Sequence, residues 1–164
     1  QTMTENGISV QEVCLGQLSV LDVFDVEEGY FEQCLAHDKT IYIVKKNDEV
    51  TGYALISWSP RYSLYKKLDI PEIQDVFIFH DFRQQGLATA LISECENIIN
   101  NKNCDYVGIS VALHKDAGPA QRLYAKLGYM PDGYGVTYDR QPVDPDDTMP
   151  IDDDLCIMLI KKFA

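Results

Sequence analysis

Apolar residues recur along this chain with two different periods, and each change of period marks a boundary between strand and helix. Ile8 to Val13 reads as an opening strand. Leu18 to Ala36 carries spaced apolar residues, Leu21, Phe24, Phe31 and Leu35, interrupted near Gly29, which predicts one or two helices. Thr40 to Lys46 and Val50 to Trp58 are β-branched and aromatic runs joined through Asn47-Asp48-Glu49, the chemistry of an antiparallel hairpin. Ser59 to Pro71 has a proline near each end and mixed polarity, so a surface loop is expected there. A further strand follows from Ile73 to Phe79.

The period then lengthens. Leu87, Ala90, Leu91, Cys95, Ile98 and Ile99 recur at three and four, predicting an amphipathic helix that stops within Asn100 to Asn103. Tyr106 to Leu113 returns to strand. Ala120, Leu123, Tyr124 and Leu127 form a second, short helical stripe, opened by Pro119 and closed by Gly128. Tyr129 to Tyr138 and Leu155 to Phe163 read as the last two strands, separated by a stretch rich in proline and aspartate. The order predicts an α/β (α+β) domain: a mixed, mostly antiparallel central sheet of about seven strands flanked by helices.

Length fits one domain, with 46% hydrophobic residues among 164 to fill its core. Gln1 and Thr2 read as an addition ahead of a native Met3. The formal charge of -12 argues against nucleic acid or an anionic membrane as a partner and favours cationic ones. Five scattered cysteines without a Cys-x-x-Cys pair read as reduced thiols. With no apolar run near ~20 residues and no charged-then-apolar leader, a cytoplasmic location is expected.

The chemistry concentrates in Arg83-Gln84-Gln85-Gly86-Leu87-Ala88-Thr89, between a strand and a helix. A helix N-terminus presents free backbone N–H groups and partial positive charge, and it accepts phosphate where side chains leave room. Gly86 and Ala88 clear that approach, Arg83 adds a cation, and Thr89 adds a hydroxyl. A glycine at such a junction is by itself ordinary turn chemistry. The patterns Gly-x-x-x-x-Gly-Lys and Gly-x-Gly-x-x-Gly are absent, which disfavours nucleoside triphosphates and dinucleotides.

Arg83-x-x-Gly86-x-Ala88 resembles the pyrophosphate loop of the GNAT superfamily of N-acetyltransferases. Ala120-x-x-Leu123-Tyr124-x-Lys126-Leu127-Gly128-Tyr129 resembles that family's second signature. The resemblance implies acetyl-CoA as co-substrate and direct transfer of its acetyl group to a primary amine through a tetrahedral intermediate, with no metal. It implies that the strand ahead of the loop splays from its neighbour, so that Val76, Phe77 and Ile78 pair with the pantetheine arm. Arg83 and the run Gln84, Gln85, Gly86, Leu87, Ala88 and Thr89 would then hold the diphosphate. The asparagine often found ahead of the second helix is replaced here by Ala117 and Gly118.

Tyr124 occupies the position of the family's tyrosine near the thioester sulfur. A phenol with pKa of about 10 stays protonated at neutral pH and can donate to a departing thiolate. Its place on the stripe of Leu123 and Leu127 fits a core tyrosine equally well. The acceptor ammonium must shed a proton, to a side chain or through water, and Asp75, Glu72 and His114 are the groups in reach of the cofactor strand. Asp75 is preferred, the alternative being a solvated or structurally hydrogen-bonded carboxylate, and for Glu72 and His114 the alternative is a surface role. Acceptor recognition is assigned to Glu28, Tyr30 and Glu72, and acceptor identity to loops near Glu27 to Phe31, Pro60 to Tyr65 and Tyr138 to Asp154, where the family resemblance is weakest.

Asp144, Asp146, Asp147, Asp152, Asp153 and Asp154 lack the ligand order and central glycine of an EF-hand loop, leaving a solvated loop or attraction of a cationic substrate. The expected partner is a small-molecule or peptide amine, with a homodimer allowed. Two rival readings remain: a non-catalytic acetyl-CoA sensor, and a transferase using another acyl-CoA or a hydroxyl acceptor.

Overall fold

The computed structural model describes residues 2–3 and 6–164. Among the described residues nine strands form one sheet: β1 (Thr2–Met3), β2 (Ile8–Val13), β3 (Lys39–Lys46), β4 (Glu49–Ser57), β5 (Glu72–Ile78), β6 (Tyr106–Ala112), β7 (Met130–Tyr138), β8 (Gln141–Pro142) and β9 (Leu155–Lys162). Their order is β1-β2-β3-β4-β5-β6-β9-β7-β8. β1 and β8 are two-residue stubs, so the seven longer strands are those expected from the pattern. Every neighbouring pair is antiparallel except β5 and β6, which are parallel.

Alternation along the central strands assigns each face its own core. Tyr42, Val44, Ala54 and Ile56 pack against Leu87, Leu91, Ile92, Cys95 and Ile99 of helix α3 (Leu87–Asn101). Ile41, Ile43, Tyr53 and Leu55 pack on the other face against Leu21 and Phe24, and against Phe31 and Cys34 of helix α1 (Tyr30–Ala36). Burying each such side chain stabilises the fold by roughly 1.5–3 kcal/mol. The predicted helical stretch from Leu18 to Ala36 is therefore split: a 3-10 segment, Leu15–Leu21, comes first, and α1 begins after Gly29, which stands at φ 79°.

Ser59 to Pro71 is not the surface loop expected. It contains helix α2 (Ser63–Leu68), with Tyr62 and Tyr65 buried over Cys156 and Met158. Pro60 and Pro71 lie outside the helix, and six residues are too few to display a helical period. Tyr65 sits directly over Gly108 of β6, where a Cβ would lie 2.4 Å from the ring. The final helix, α4 (Gly118–Lys126), carries Pro119 in its first turn as predicted, and its Tyr124 joins the α3 side of the core. No helix among the described residues is long and apolar enough to cross a membrane.

Two irregularities shape the centre of the sheet. Between β4 and β5 the register steps from Tyr53↔Phe77 to Leu55↔Gln74, so Asp75 and Val76 together face Ala54. This is a β-bulge, with Asp75 in the left-handed region at φ 55°. Between β5 and β6 the pairing covers only Glu72↔Gly108 and Ile73↔Ile109. Beyond Ile73 the two strands part.

Candidate active site

A cleft of about 210 Å³ opens where β5 and β6 diverge, lined by β5 from Ile73 to Val76, by Ile109 and Ser110 of β6, by Tyr124, and by Arg140, Asp153, Asp154 and Cys156. The splay expected of the strand ahead of the loop is present. Along β5, the edge facing β6 has no strand partner after Ile73. Phe77 and Ile78 pair with Tyr53 and Gly52 on the other side. The Ile78 carbonyl accepts a hydrogen bond from Arg83 Nε at 3.0 Å, so this arginine is anchored across the end of the strand. The Phe77 ring joins Phe24, Tyr53 and Phe79 in an aromatic cluster.

Past β5 the chain makes a short 3-10 turn, His80–Phe82, and enters α3 through Gly86. Gln84 and Gly86 have φ of 62° and 80°. No side chain caps the helix. Among the described residues no acceptor meets the backbone N–H groups of Gln84, Gln85, Gly86, Leu87, Ala88 or Thr89; the first intrahelical bond runs from Ala90 N–H to the Gly86 carbonyl. A run of free donors at the positive end of a helix suits a diphosphate. The exposed Arg83 guanidinium stands beside it.

Tyr124 is 6% exposed and lines the cleft, and its hydroxyl has no hydrogen-bond partner in the described chain. Burial pushes its phenol up to about 12, so it carries its proton at neutral pH. Gln121 ties α4 to β6 by donating from Nε2 to the Ala112 carbonyl at 2.9 Å. Cys156 also reaches the cleft, but burial pushes its thiol up to about 11, which leaves little thiolate at neutral pH.

Asp75 and Tyr30, assigned separately from the sequence, meet: the Tyr30 hydroxyl donates to Asp75 Oδ2. Burial first, then this hydrogen bond, raises the Tyr30 pKa far above that of a free phenol, so Tyr30 is the permanent donor of the pair. The bulge is what brings Asp75 out of the ladder toward α1. Glu28 is exposed and makes no side-chain hydrogen bond among the described residues.

Glu72 departs from its assignment. It is fully buried and ion-paired with Arg140, whose Nη2 lies 2.7 Å from Oε2. A fully buried carboxylate already bonded to a guanidinium does not present itself to an acceptor. The sequence reasoning missed Arg140 altogether. It occupies a two-residue turn with Asp139 between β7 and β8, at φ of 64° and 47°, and only the fold brings that turn back over β5.

His114 is tied up as well. Its Nε2 lies 2.6 Å from Asp153 Oδ1, while Nδ1 is buried without a partner among the described residues. The segment carrying Asp153 and Asp154 is pinned by its backbone: the Asp154 carbonyl accepts from Asp139 N–H at 3.0 Å, and the Asp153 carbonyl from the Cys156 thiol at 3.2 Å. Of the six aspartates singled out, these two reach the cleft. Among the described residues no group of three or more His, Cys, Asp or Glu side chains is arranged to hold a metal ion.

Comparisons with known proteins agree with this architecture. The chain is similar, at 18% identity and TM-score 0.68, to a GNAT family acetyltransferase from Elizabethkingia anophelis with acetyl-CoA bound, covering 97% of this chain and 100% of that one. It is also similar to the ribosomal-protein-S18-alanine N-acetyltransferase of Escherichia coli, at 13% identity and TM-score 0.67 over 94% of this chain and 93% of that one. A third likeness is Arabidopsis thaliana Naa50 in complex with the bisubstrate analogue CoA-Ac-MVNAL, at 15% identity and TM-score 0.64 over 96% and 99% of the two chains. No curated protein sequence matches the chain. The family model for the acetyltransferase (GNAT) family matches residues 14–129. With that match spanning most of the chain and the split sheet and glycine-entered helix beneath it, this protein belongs to the GNAT acetyltransferase family.

Proposed function

We propose that the chain transfers the acetyl group of acetyl-CoA to a primary amine by direct attack of the amine nitrogen. The observation that carries this reading is the unpartnered, proton-bearing Tyr124 hydroxyl at the wall of the β5–β6 cleft, on a fold that offers six consecutive free N–H donors at Gln84 to Thr89. When bound, acetyl-CoA supplies the activated acyl group. The donors from Gln84 to Thr89, with Arg83, hold its diphosphate. The unpaired edge of β5 at Val76 to Ile78 aligns the pantetheine arm, with the Ile78 carbonyl excluded because Arg83 already occupies it.

Tyr124 protonates the leaving sulfur, and backbone N–H groups at the bulge are suited to the oxyanion. Asp75 accepts the proton that the acceptor sheds, directly or through water. Tyr30, locked as a donor, holds one Asp75 oxygen and leaves the other for that proton.

Thiol release from acetyl-CoA across a panel of primary amines, paired with calorimetric titration of the cofactor, tests the reading. Amine-dependent release is expected, with binding abolished by Gly86→Glu, which combines a strained φ of 80° with a like charge facing the diphosphate. Cofactor binding without release on any amine would reject catalysis.

A further inference from the structure

The β5–β6 cleft is charged unevenly. Arg140 is the only basic residue in its lining, and its charge is matched by the buried Glu72 directly beneath it. Asp75, Asp153 and Asp154 line the same cleft, and none has a lysine or arginine within ion-pair distance among the described residues. The site therefore holds three carboxylates in excess of its cations.

Their positions suit a ligand that must reach Tyr124. That side chain, 6% exposed and with an unpartnered hydroxyl, lines the same cavity as the three aspartates. Asp153 and Asp154 are exposed residues of the cleft lining, and two of the three carboxylates are held by a side-chain hydrogen bond. Asp153 is held by His114 at 2.6 Å, and the backbone on both sides is bonded to Asp139 and Cys156. Asp75 is held by Tyr30.

We infer, building on the transferase reading above, that the acceptor is a small alkyl diamine or polyamine: one amine is acetylated near Tyr124 while a second ammonium rests on Asp153 and Asp154. A carboxylate on the acceptor, as in a free amino acid, would sit among three like charges with the one guanidinium already engaged. Charge complementarity along the cleft raises the local concentration of a dication and orients it.

The test compares 1,5-diaminopentane with n-pentylamine, which differ by one terminal ammonium, and with free lysine. Wild-type enzyme is expected to give a kcat/KM at least about tenfold higher for the diamine than for the monoamine, with lysine below the diamine. The advantage should fall with added salt. In Asp153→Asn/Asp154→Asn it should shrink toward unity, mainly through a rise in the diamine KM. Acetyl-CoA affinity, measured by calorimetry on the same sample, reports that the variant is folded, and Asp154→Asn alone gives a second, milder measure of the same ratio. Equal efficiency for both amines in the wild type, or a preference untouched by the double substitution, would overturn the inference while leaving amine acetylation intact. Absence of turnover on every amine would instead reject the reading on which it rests.

Discussion

The hydroxyl of Tyr30 donates to the carboxylate of Asp75, joining the start of α1 to a bulge 45 residues further along the chain. Two consequences follow for turnover. On the proposed mechanism Asp75→Asn takes away the proton acceptor and should lower kcat on the order of 10²-fold. Tyr30→Phe only loosens the carboxylate and should cost less, with part of its effect in the acceptor KM. Initial rates of thiol release at saturating acetyl-CoA measure both; an Asp75→Asn enzyme within twofold of wild type would remove this residue from the mechanism.

Tyr124→Phe should lower kcat by about 10²-fold while changing acetyl-CoA affinity little, because the proposed mechanism uses the hydroxyl only as the sulfur departs. Burial pushes this phenol up to about 12, so its proton is present throughout the ordinary assay range and is lost only as pH rises toward that value. The ratio of wild-type to Tyr124→Phe turnover should therefore stay flat from about pH 7 to about pH 10. A ratio that collapses by pH 9 would mean that the phenol loses its proton well below about 12 and is not held up by burial, whereas a ratio near one throughout would remove the hydroxyl from the mechanism.

Gly108→Ala should destabilise the fold by about 1–3 kcal/mol, since its new methyl would lie 2.4 Å from the Tyr65 ring, which is itself fully buried. The measurement is the midpoint of denaturant unfolding. In Gly108→Ala/Tyr65→Leu the deficit relative to Tyr65→Leu alone should be much smaller, because the clash is with that ring and not with the strand.

The Tyr138 hydroxyl donates to Asp152 Oδ2 at 2.7 Å, and this bond, the largest cause, holds the Asp152 carboxyl below its ordinary value. A carboxylate favoured in this way adds stability above its unfolded pKa of about 3.9, and the contribution disappears as pH falls through the lower folded value. Tyr138→Phe should melt at a lower temperature than wild type at neutral pH, and the gap should narrow below about pH 4. A gap independent of pH would mean that the lost hydroxyl acts through packing alone.

Much of this was legible in order along the chain. The hairpin of β3 and β4, the stripe of α3 and the glycine entering it were read correctly because each depends on neighbours within a few residues. The short helix α2 was hidden because its lysines point to solvent while Tyr65 fills the hollow over Gly108, a fit visible only across 43 residues of sequence. Glu72 looked like a surface acid for the same reason: its counterion, Arg140, is 68 residues away. The pairing of Tyr30 with Asp75 depended on a bulge, and a bulge has no reliable signature in a run of strand-forming residues.

Only two rungs, Glu72↔Gly108 and Ile73↔Ile109, stitch β5 to β6, whereas β6 and β9 share seven. The sheet is thus two leaves, β1 to β5 and β6 to β9, meeting at a narrow spine with α3 as the tether that carries the chain across. Tension applied through the two leaves would unzip that spine before any other ladder in the centre of the sheet.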